Sequence, residues 1–215
     1  MTMKAWWMVP AAILSLGLCL PMFMRCKARK LAVQSQCWKA LGTLCALALA
    51  LGGAIPLGGS RWLGAGALAL CTIADVMLER KFHVGMGFFM GGHLCYIAWF
   101  LQRQKLGSIQ CIVFVVLLAA AVCLILRLRP LLKGKLAPYS AYAGVLITMC
   151  ACGVGCVTGG TAGIFTTVGV VLFVISDMMV CWETLRSTSA AFDWTAMVLY
   201  YTAQLCLGTG ILLAA

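Results

Sequence analysis

The chain has 215 residues, of which 64% are hydrophobic and 10% are charged, and its formal net charge is +11. Soluble globular domains carry about a quarter charged residues and about half apolar ones, so this composition excludes an ordinary soluble protein and indicates an integral membrane protein. Because the Lys and Arg residues lie between long apolar runs, the positive charge indicates membrane topology and contacts with anionic lipid, and not nucleic-acid binding.

A helix that crosses a bilayer needs about 20 mainly apolar residues. Eight stretches meet this criterion: 5–24, 38–57, 62–79, 83–101, 109–127, 139–157, 163–182 and 194–213. The expected fold class is an all-α membrane protein, a bundle of eight transmembrane helices. We expect residues 1–215 to form a single domain, since each helix needs its neighbours to satisfy its polar atoms.

The first stretch follows Lys4, as the apolar core of a signal peptide would. It is longer than such a core, has no small-residue cleavage site and ends in a basic block. We therefore expect a retained helix.

The basic residues are distributed unequally between the two sides of the membrane. One side carries twelve of them: Arg25, Lys27, Arg29, Lys30, Lys39, Arg80, Lys81, Arg127, Arg129, Lys133, Lys135 and Arg186. The other side carries four: Lys4, Arg61, Arg103 and Lys105. Because cytoplasmic loops are enriched in Lys and Arg, we expect loops 25–37, 80–82, 128–138 and 183–193 inside and both termini outside the cytoplasm. In a bacterial cell the expected location is the plasma membrane.

Two short sequences in the third and seventh stretches resemble each other. They are Ile73-Ala74-Asp75-Val76-Met77 and Ile175-Ser176-Asp177-Met178-Met179. Because four stretches separate them, a duplication would be a four-helix parallel repeat about an axis along the membrane normal. The similarity is slight, but it agrees with equivalent positions for the two aspartates.

Asp75 and Asp177 are the leading candidates for function. A charged residue at the bilayer centre costs about 2.5–3.5 kcal/mol on insertion scales, so such residues are rare in transmembrane helices unless they have a function. With a rise of about 1.5 Å per residue, Asp75 lies about 7 Å and Asp177 about 9 Å inside the cytoplasmic face. The two carboxyl groups are therefore expected at one depth on one side.

Other polar side chains in the fourth and eighth stretches reach a similar region. Tyr200 and Tyr201 are expected about 10 Å inside the same face, and His93 and Gln204 about 15 Å inside. Gln204 follows the two tyrosines at helical spacing and shares a face with both. We expect a polar pocket that opens from the cytoplasmic leaflet beneath the headgroups. His93 fits a catalytic role and a helix–helix hydrogen bond equally well.

No metal or cofactor is expected. The thirteen cysteines are scattered without a C-x-x-C pair, and Cys152 and Cys156, which share a helix face, have no histidine near them in the sequence. Packing thiols in a reducing compartment explain them. Glu79, Glu183 and Asp193 lie at the ends of apolar stretches, where solvation or pairing with Lys or Arg is expected.

The segment Phe173-Val174-Ile175-Ser176-Asp177, followed by Tyr200-Tyr201-Thr202-Ala203-Gln204, resembles the late motifs of the YhhN family of membrane proteins, which includes the lysoplasmalogenases. Ala74-Asp75-Val76-Met77-Leu78, Phe82, Gly87-Phe88-Phe89 and His93-Leu94-Cys95-Tyr96-Ile97 resemble its earlier pattern G-D-x-x-L, F, G-x-x-F and H-x-x-Y-I.

The second and sixth stretches add to the resemblance. Lys39 with Thr43 resembles the family's K-P-x-x-T, and Tyr142 matches a tyrosine of its sixth helix. Ala74 stands where the family has glycine, and Ala40 where it has proline, which marks this chain as a divergent member.

The resemblance implies hydrolysis of the vinyl-ether bond of lysoplasmalogens, which releases a fatty aldehyde and a glycerophospho-base. The reaction needs a protonated carboxyl group and an ionised one, as in other paired-carboxylate hydrolases, and Asp75 and Asp177 would share these roles. The expected substrate-binding residues are Lys39, His93, Tyr96, Tyr142, Ser176, Tyr200, Tyr201 and Gln204. Lys39 would meet the lipid phosphate. The partners implied are a lysophospholipid substrate and membrane lipids, with no oligomeric state specified.

Two other classes of function fit the same residues. A small proton-coupled transporter also uses intramembrane acids and internal repeats, although its site is expected near the midplane. A lipid-binding membrane protein without catalytic activity could have the same fold.

Overall fold

The computed structural model describes residues 6–132 and 134–214. Lys4, Lys133 and the first residue of the first predicted stretch lie outside these ranges. Within them, eight helices are long and apolar enough to span a membrane: α1 Met8–Ala28, α2 Ala32–Leu57, α3 Arg61–Arg80, α4 Phe82–Arg103, α5 Ser108–Leu132, α6 Leu136–Thr158, α7 Gly160–Leu185 and α8 Ala190–Leu213. The prediction of an all-helical, eight-span protein is confirmed.

Most helices extend past the predicted apolar stretches. α2 begins at Ala32 instead of residue 38, and α5 continues to Leu132 instead of ending at residue 127. Gln, Lys and Arg are good helix formers, so the helical backbone hydrogen bonds continue beyond the apolar stretch into the polar residues that flank it. The connections are correspondingly short, and Lys81 alone separates α3 from α4.

The two halves of the chain pack in the same order. α3 packs on α4 as α7 packs on α8, and α1 packs on α2 as α5 packs on α6. The halves also meet in an equivalent way, since α2 packs on α8 and α6 packs on α4. The two aspartate-bearing helices, α3 and α7, therefore have corresponding neighbours. A parallel repeat predicts this order, and the repeat itself stays a prediction.

α8 is the central helix, and glycines let its neighbours approach it closely. A Cβ atom on Gly208 of α8 would overlap the backbone of Ala46 in α2, and one on Gly42 of α2 would overlap the ring of Tyr201. In lipid, no hydrophobic force drives helices together, so close backbone packing of this kind supplies the attraction.

α5 is at the periphery. Only 6% of the most apolar part of this helix is buried, and its main neighbour is α6. A helix that is apolar on all sides is suited to contact with lipid. α5 therefore forms an outer wall of the bundle, and some of its residues line a cavity between it and the other helices.

Replacing Gly208 with Ala should test the α2–α8 contact. The added methyl group has no room against Ala46, so we expect the free energy of unfolding to fall by about 1–3 kcal/mol. The measurement is the melting temperature of the purified protein in detergent. Gly66→Ala is the control, because its methyl group would meet open space. Equal melting temperatures for the two variants would contradict this packing.

Candidate active site

Asp75 is completely buried, and two hydroxyl groups donate to one of its oxygens. Its Oδ2 accepts hydrogen bonds from Thr43 Oγ1 at 2.6 Å and from Tyr200 OH at 2.8 Å. Gln204 Nε2 in turn donates to Tyr200 OH at 2.9 Å. Three helices, α2, α3 and α8, thus hold this carboxylate in one orientation.

Lys39 supplies the positive charge for this carboxylate. Its Nζ lies 3.5 Å from Asp75 Oδ1, and its side chain is only 7% exposed. The ammonium also lies 5.8 Å from the ring centre of Phe23 and 5.9 Å from that of Tyr200, within the range of cation–π attraction. A buried charge must be paired, so Lys39 and Asp75 depend on each other.

Asp177 lies in a second cluster, on α7. Tyr142 OH of α6 donates a hydrogen bond to Asp177 Oδ2. His93 Nε2 of α4 lies 3.1 Å from Tyr142 OH and 3.7 Å from Asp177 Oδ2. Because the tyrosine donates its own hydrogen to the carboxylate, its oxygen accepts a hydrogen bond from His93 when the imidazole carries its hydrogen on Nε2. The result is a chain of donors from imidazole to phenol to carboxylate.

The two clusters have the same order of groups but differ in exposure. In both, an N–H group donates to a tyrosine hydroxyl, which donates to an aspartate. Asp75 has a lysine partner and is fully buried, whereas the Asp177 side chain is 13% exposed and has no Lys or Arg nitrogen within 4.0 Å in the described ranges. The two carboxyl groups are therefore not equivalent.

Two phenylalanines lie between the clusters. The ring of Phe173 is 5.7 Å from that of Tyr200 and 5.0 Å from that of His93. Phe89 is 6.1 Å from Tyr200 and 6.3 Å from His93. The two phenylalanine rings thus lie between the hydrogen-bonded clusters and contact a member of each.

A mainly apolar cavity of about 180 Å³ lies along these clusters and is partly open to the surroundings of the bundle. Residues from α2 to α8 line it, including Leu117 and Leu124 of α5. Its polar lining includes Lys39, Tyr142, Asp177 and Tyr200. Asp75 is not part of the wall, because its partners Lys39 and Tyr200 stand between it and the cavity. Of the two aspartates, Asp177 alone faces this space.

Several of the residues expected to bind substrate lie elsewhere. The Ser176 hydroxyl donates to the backbone oxygen of Ala196, and the Tyr201 hydroxyl to that of Lys39, so both join helices instead of lining the cavity. Tyr96 is buried and stacks on Phe100. Gln204 and His93 do not line the cavity. Gln204 is hydrogen-bonded to Tyr200, and His93 to Tyr142, and these two tyrosines do line it.

Sequence reasoning missed the part that Thr43, Phe89 and Phe173 play in the site. Thr43 lies one helical turn after Lys39, so its spacing placed it on the same face. The two phenylalanines belong to motifs that were used only to support the resemblance. In an apolar helix, no sequence signal distinguishes a ring beside a functional site from one that contacts lipid.

No group of three or more His, Cys, Asp or Glu residues within the described ranges is arranged to hold a metal ion.

The fold and site define a multi-pass integral membrane protein with a carboxyl group in the wall of a mainly apolar cavity. The chain matches the YhhN family model over residues 34–211 and belongs to that family. No solved structure matches the chain.

Curated relatives are similar over most of this chain. It is 34% identical over 164 residues to "Lysoplasmalogenase TMEM86B" of Rattus norvegicus, covering 75% of this chain and 66% of the relative. The protein of the same name from Homo sapiens is 31% identical over 174 residues, covering 78% and 73%. That from Mus musculus is 32% identical over 155 residues, covering 71% and 64%. The matched part thus spans about two thirds of the relatives' length.

Removal of the Lys39 charge should destabilise the protein through Asp75. In Lys39→Met the buried carboxylate loses its cation, and breaking a buried pair in this way costs about 3–5 kcal/mol. The double variant Lys39→Met/Asp75→Asn removes both charges, so we expect it to recover much of the lost stability. Thermal unfolding in detergent measures both. Additive losses in the double variant would contradict the pairing.

Proposed function

We propose that this protein is a membrane hydrolase that cleaves the vinyl-ether bond of lysoplasmalogens. The observation that carries the proposal is the position of Asp177 in the wall of a mainly apolar cavity, with Tyr142 hydrogen-bonded to it and His93 hydrogen-bonded to Tyr142. The name of the relatives, lysoplasmalogenase, supports the same reaction.

The cavity suits a single-chain lipid. Its wall is mainly apolar and is completed by α5, whose exposed residues face the membrane, so an alkenyl chain can lie within it. The polar residues are concentrated at Lys39, Tyr142, Asp177 and Tyr200. The vinyl ether of a lysolipid lies just below its headgroup, and a lipid with its phosphate near Lys39 would bring this bond to Asp177.

In the proposed reaction, Asp177 transfers a proton to the vinyl carbon remote from the ether oxygen. The π electrons form the new C–H bond, and the oxygen lone pair stabilises the cation on the neighbouring carbon. Water adds to this carbon and gives its proton to the Asp177 carboxylate. The hemiacetal hydroxyl then loses its proton, the bond between its carbon and the ether oxygen breaks, and the ether oxygen takes up a proton, which yields the aldehyde and the hydroxyl group of the glycerophospho-base.

Tyr142 and His93 keep Asp177 in position during this cycle. A phenol hydrogen bond to Oδ2 leaves Oδ1 free to face the cavity and to exchange a proton. His93 donates to the phenol oxygen and fixes its direction. Preorganised donors of this kind need no rearrangement when charge develops, which is how such groups lower a barrier.

We assign Asp75 an electrostatic and positioning role. Its charge holds Lys39, and its Oδ2 fixes the Tyr200 hydroxyl, so it acts on the cavity through those two residues. This proposal differs from the expectation that Asp75 and Asp177 share the acid and base roles, because it assigns both proton transfers to Asp177 and lets Asp75 act through Lys39 and Tyr200.

We also propose that both termini lie outside the cytoplasm and that the connections between α3 and α4 and between α7 and α8 face it. The excess of basic residues on that side supports this orientation. A glycosylation acceptor inserted in residues 104–107 should be modified in microsomes, and one inserted in residues 186–189 should not. The reverse pattern would contradict the orientation.

Activity should separate the two aspartates. Purified wild-type protein with lysoplasmalogen should release aldehyde, and Asp177→Asn should lose about 100-fold or more in kcat while keeping its melting temperature. Tyr142→Phe should lose about tenfold, because Asp177 is less well oriented. Asp75→Asn should lose both activity and stability, since Lys39 remains buried without its counter-ion.

Asp193→Asn is the matched control. Asp193 lies in the first turn of α8, accepts a hydrogen bond from the Thr188 hydroxyl and does not line the cavity. It should keep wild-type activity. No aldehyde release from the wild type across several alkenyl lysolipids would rule out the enzyme, and full activity in Asp177→Asn would rule out the assigned acid.

A further inference from the structure

Three buried polar side chains next to the two clusters each have an atom without a hydrogen-bond partner among residues 6–132 and 134–214. These atoms are His93 Nδ1, Tyr96 OH and Gln204 Oε1, and all three side chains are completely buried. None of the three lines the cavity. A buried polar group left unpaired costs about 1–3 kcal/mol, so three such atoms indicate that a partner binds them.

The three side chains lie in one region of the bundle. His93 and Tyr96 are three residues apart on α4, so they share a face of that helix. The Cys71 thiol of α3 lies beside the amide of Gln204 and near the phenol of Tyr96. α3 and α4 approach closely here, because a Cβ atom on Gly92, the residue before His93, would lie 3.1 Å from Cys71 Sγ. Cys71 therefore marks the place where α3, α4 and α8 bring these groups together.

Both hydrogen-bonded clusters end in this region. Gln204 Nε2 donates to Tyr200 OH in the first cluster, and His93 Nε2 lies 3.1 Å from Tyr142 OH in the second. The amide and the imidazole thus each use one nitrogen on their own cluster and keep one acceptor atom, Oε1 or Nδ1, for another partner. Two acceptors cannot bond to each other, and the Tyr96 hydroxyl has only one hydrogen to donate, so a further donor is needed.

We propose that His93 Nδ1, Tyr96 OH and Gln204 Oε1 form a binding site for an internal water molecule that joins the two clusters. The water donates one hydrogen to His93 Nδ1 and the other to Gln204 Oε1, and it accepts a hydrogen bond from Tyr96 OH. Internal waters in proteins typically make about three hydrogen bonds to otherwise unpaired polar groups, and this set of groups supplies them.

The water site determines which nitrogen of His93 carries the hydrogen. A neutral imidazole has one N–H group and one acceptor nitrogen, and the nitrogen that accepts from the water cannot carry the hydrogen. The hydrogen is therefore held on Nε2, where it donates to Tyr142 OH and orients that hydroxyl toward Asp177. Tyr96 and Gln204 are thus positioning residues for Asp177. This effect on turnover rests on the proposed function, whereas the water site itself does not.

Nitrogen NMR of His93 tests the site without turnover. The chain has two histidines, so ¹⁵N-histidine labelling of the protein in lipid vesicles gives signals from two imidazoles, and His83→Gln identifies those of His93. We expect a protonated Nε2 and an unprotonated Nδ1 with the chemical shift of a hydrogen-bonded acceptor. Tyr96→Phe and Gln204→Leu should each weaken the water site and move the Nδ1 signal toward that of an unbonded nitrogen.

Tyr201→Phe is the matched control. It also removes a buried hydroxyl group from the core, but that group already donates to the backbone oxygen of Lys39. It should leave the His93 signals in place. A hydrogen on Nδ1 in the wild type, an Nδ1 signal that stays in place in either Tyr96→Phe or Gln204→Leu, or an equal shift in Tyr201→Phe would overturn the inference.

Turnover of lysoplasmalogen tests the positioning role. Tyr96→Phe should lower kcat about three- to tenfold and leave KM unchanged, because Tyr96 acts through His93 and does not line the cavity. Unchanged kcat in this variant would overturn the positioning role. A wild type that shows the expected His93 signals but hydrolyses no alkenyl lipid would contradict the proposed function and leave the water site intact.

Discussion

The buried ion pair between Lys39 and Asp75 is the interaction on which the rest of the structure depends. Neither charge is tolerated in the bundle interior alone, so the pair requires α2 and α3 to pack in one register. Thr43 and Tyr200 donate hydrogen bonds to the Asp75 carboxylate, and Tyr200 thereby links it to α8, the central helix. This arrangement places the Lys39 ammonium in the wall of the apolar cavity.

The same pattern of groups serves a second purpose at Asp177. There the tyrosine and the N–H donor are kept, but no lysine neutralises the carboxyl group, and its side chain reaches the cavity. Corresponding helices in the two halves thus carry one cluster closed by a cation and one open to a ligand. The two aspartates therefore have distinct surroundings: Asp75 is held in the interior by Lys39 and Tyr200, whereas Asp177 lies in the cavity wall, where the proposed reaction needs a carboxyl group that exchanges a proton.

Much of this could be predicted from the sequence, because apolar length specifies the spans and the cost of an intramembrane charge singles out Asp75 and Asp177. The orientation of each helix about its own axis could not be predicted in this way. In a helix that is apolar on all sides, nothing indicates which face meets a neighbour and which meets a cavity. Ser176, next to Asp177, therefore looked like a substrate contact, yet it bonds to the backbone of α8. Which aspartate faces the cavity was open for the same reason.

The central claim is that a carboxyl group protonates the vinyl carbon so that water adds to the neighbouring carbon, and turnover in H₂¹⁸O tests this most directly. Because the bond that breaks joins that carbon to the ether oxygen, the glycerophospho-base should keep its original oxygen and contain no ¹⁸O, as judged by mass spectrometry. Glycerophospho-base incubated in H₂¹⁸O without enzyme corrects for exchange with solvent. A glycerophospho-base that carries one ¹⁸O would show that water attacks the glycerol carbon instead and would contradict the mechanism.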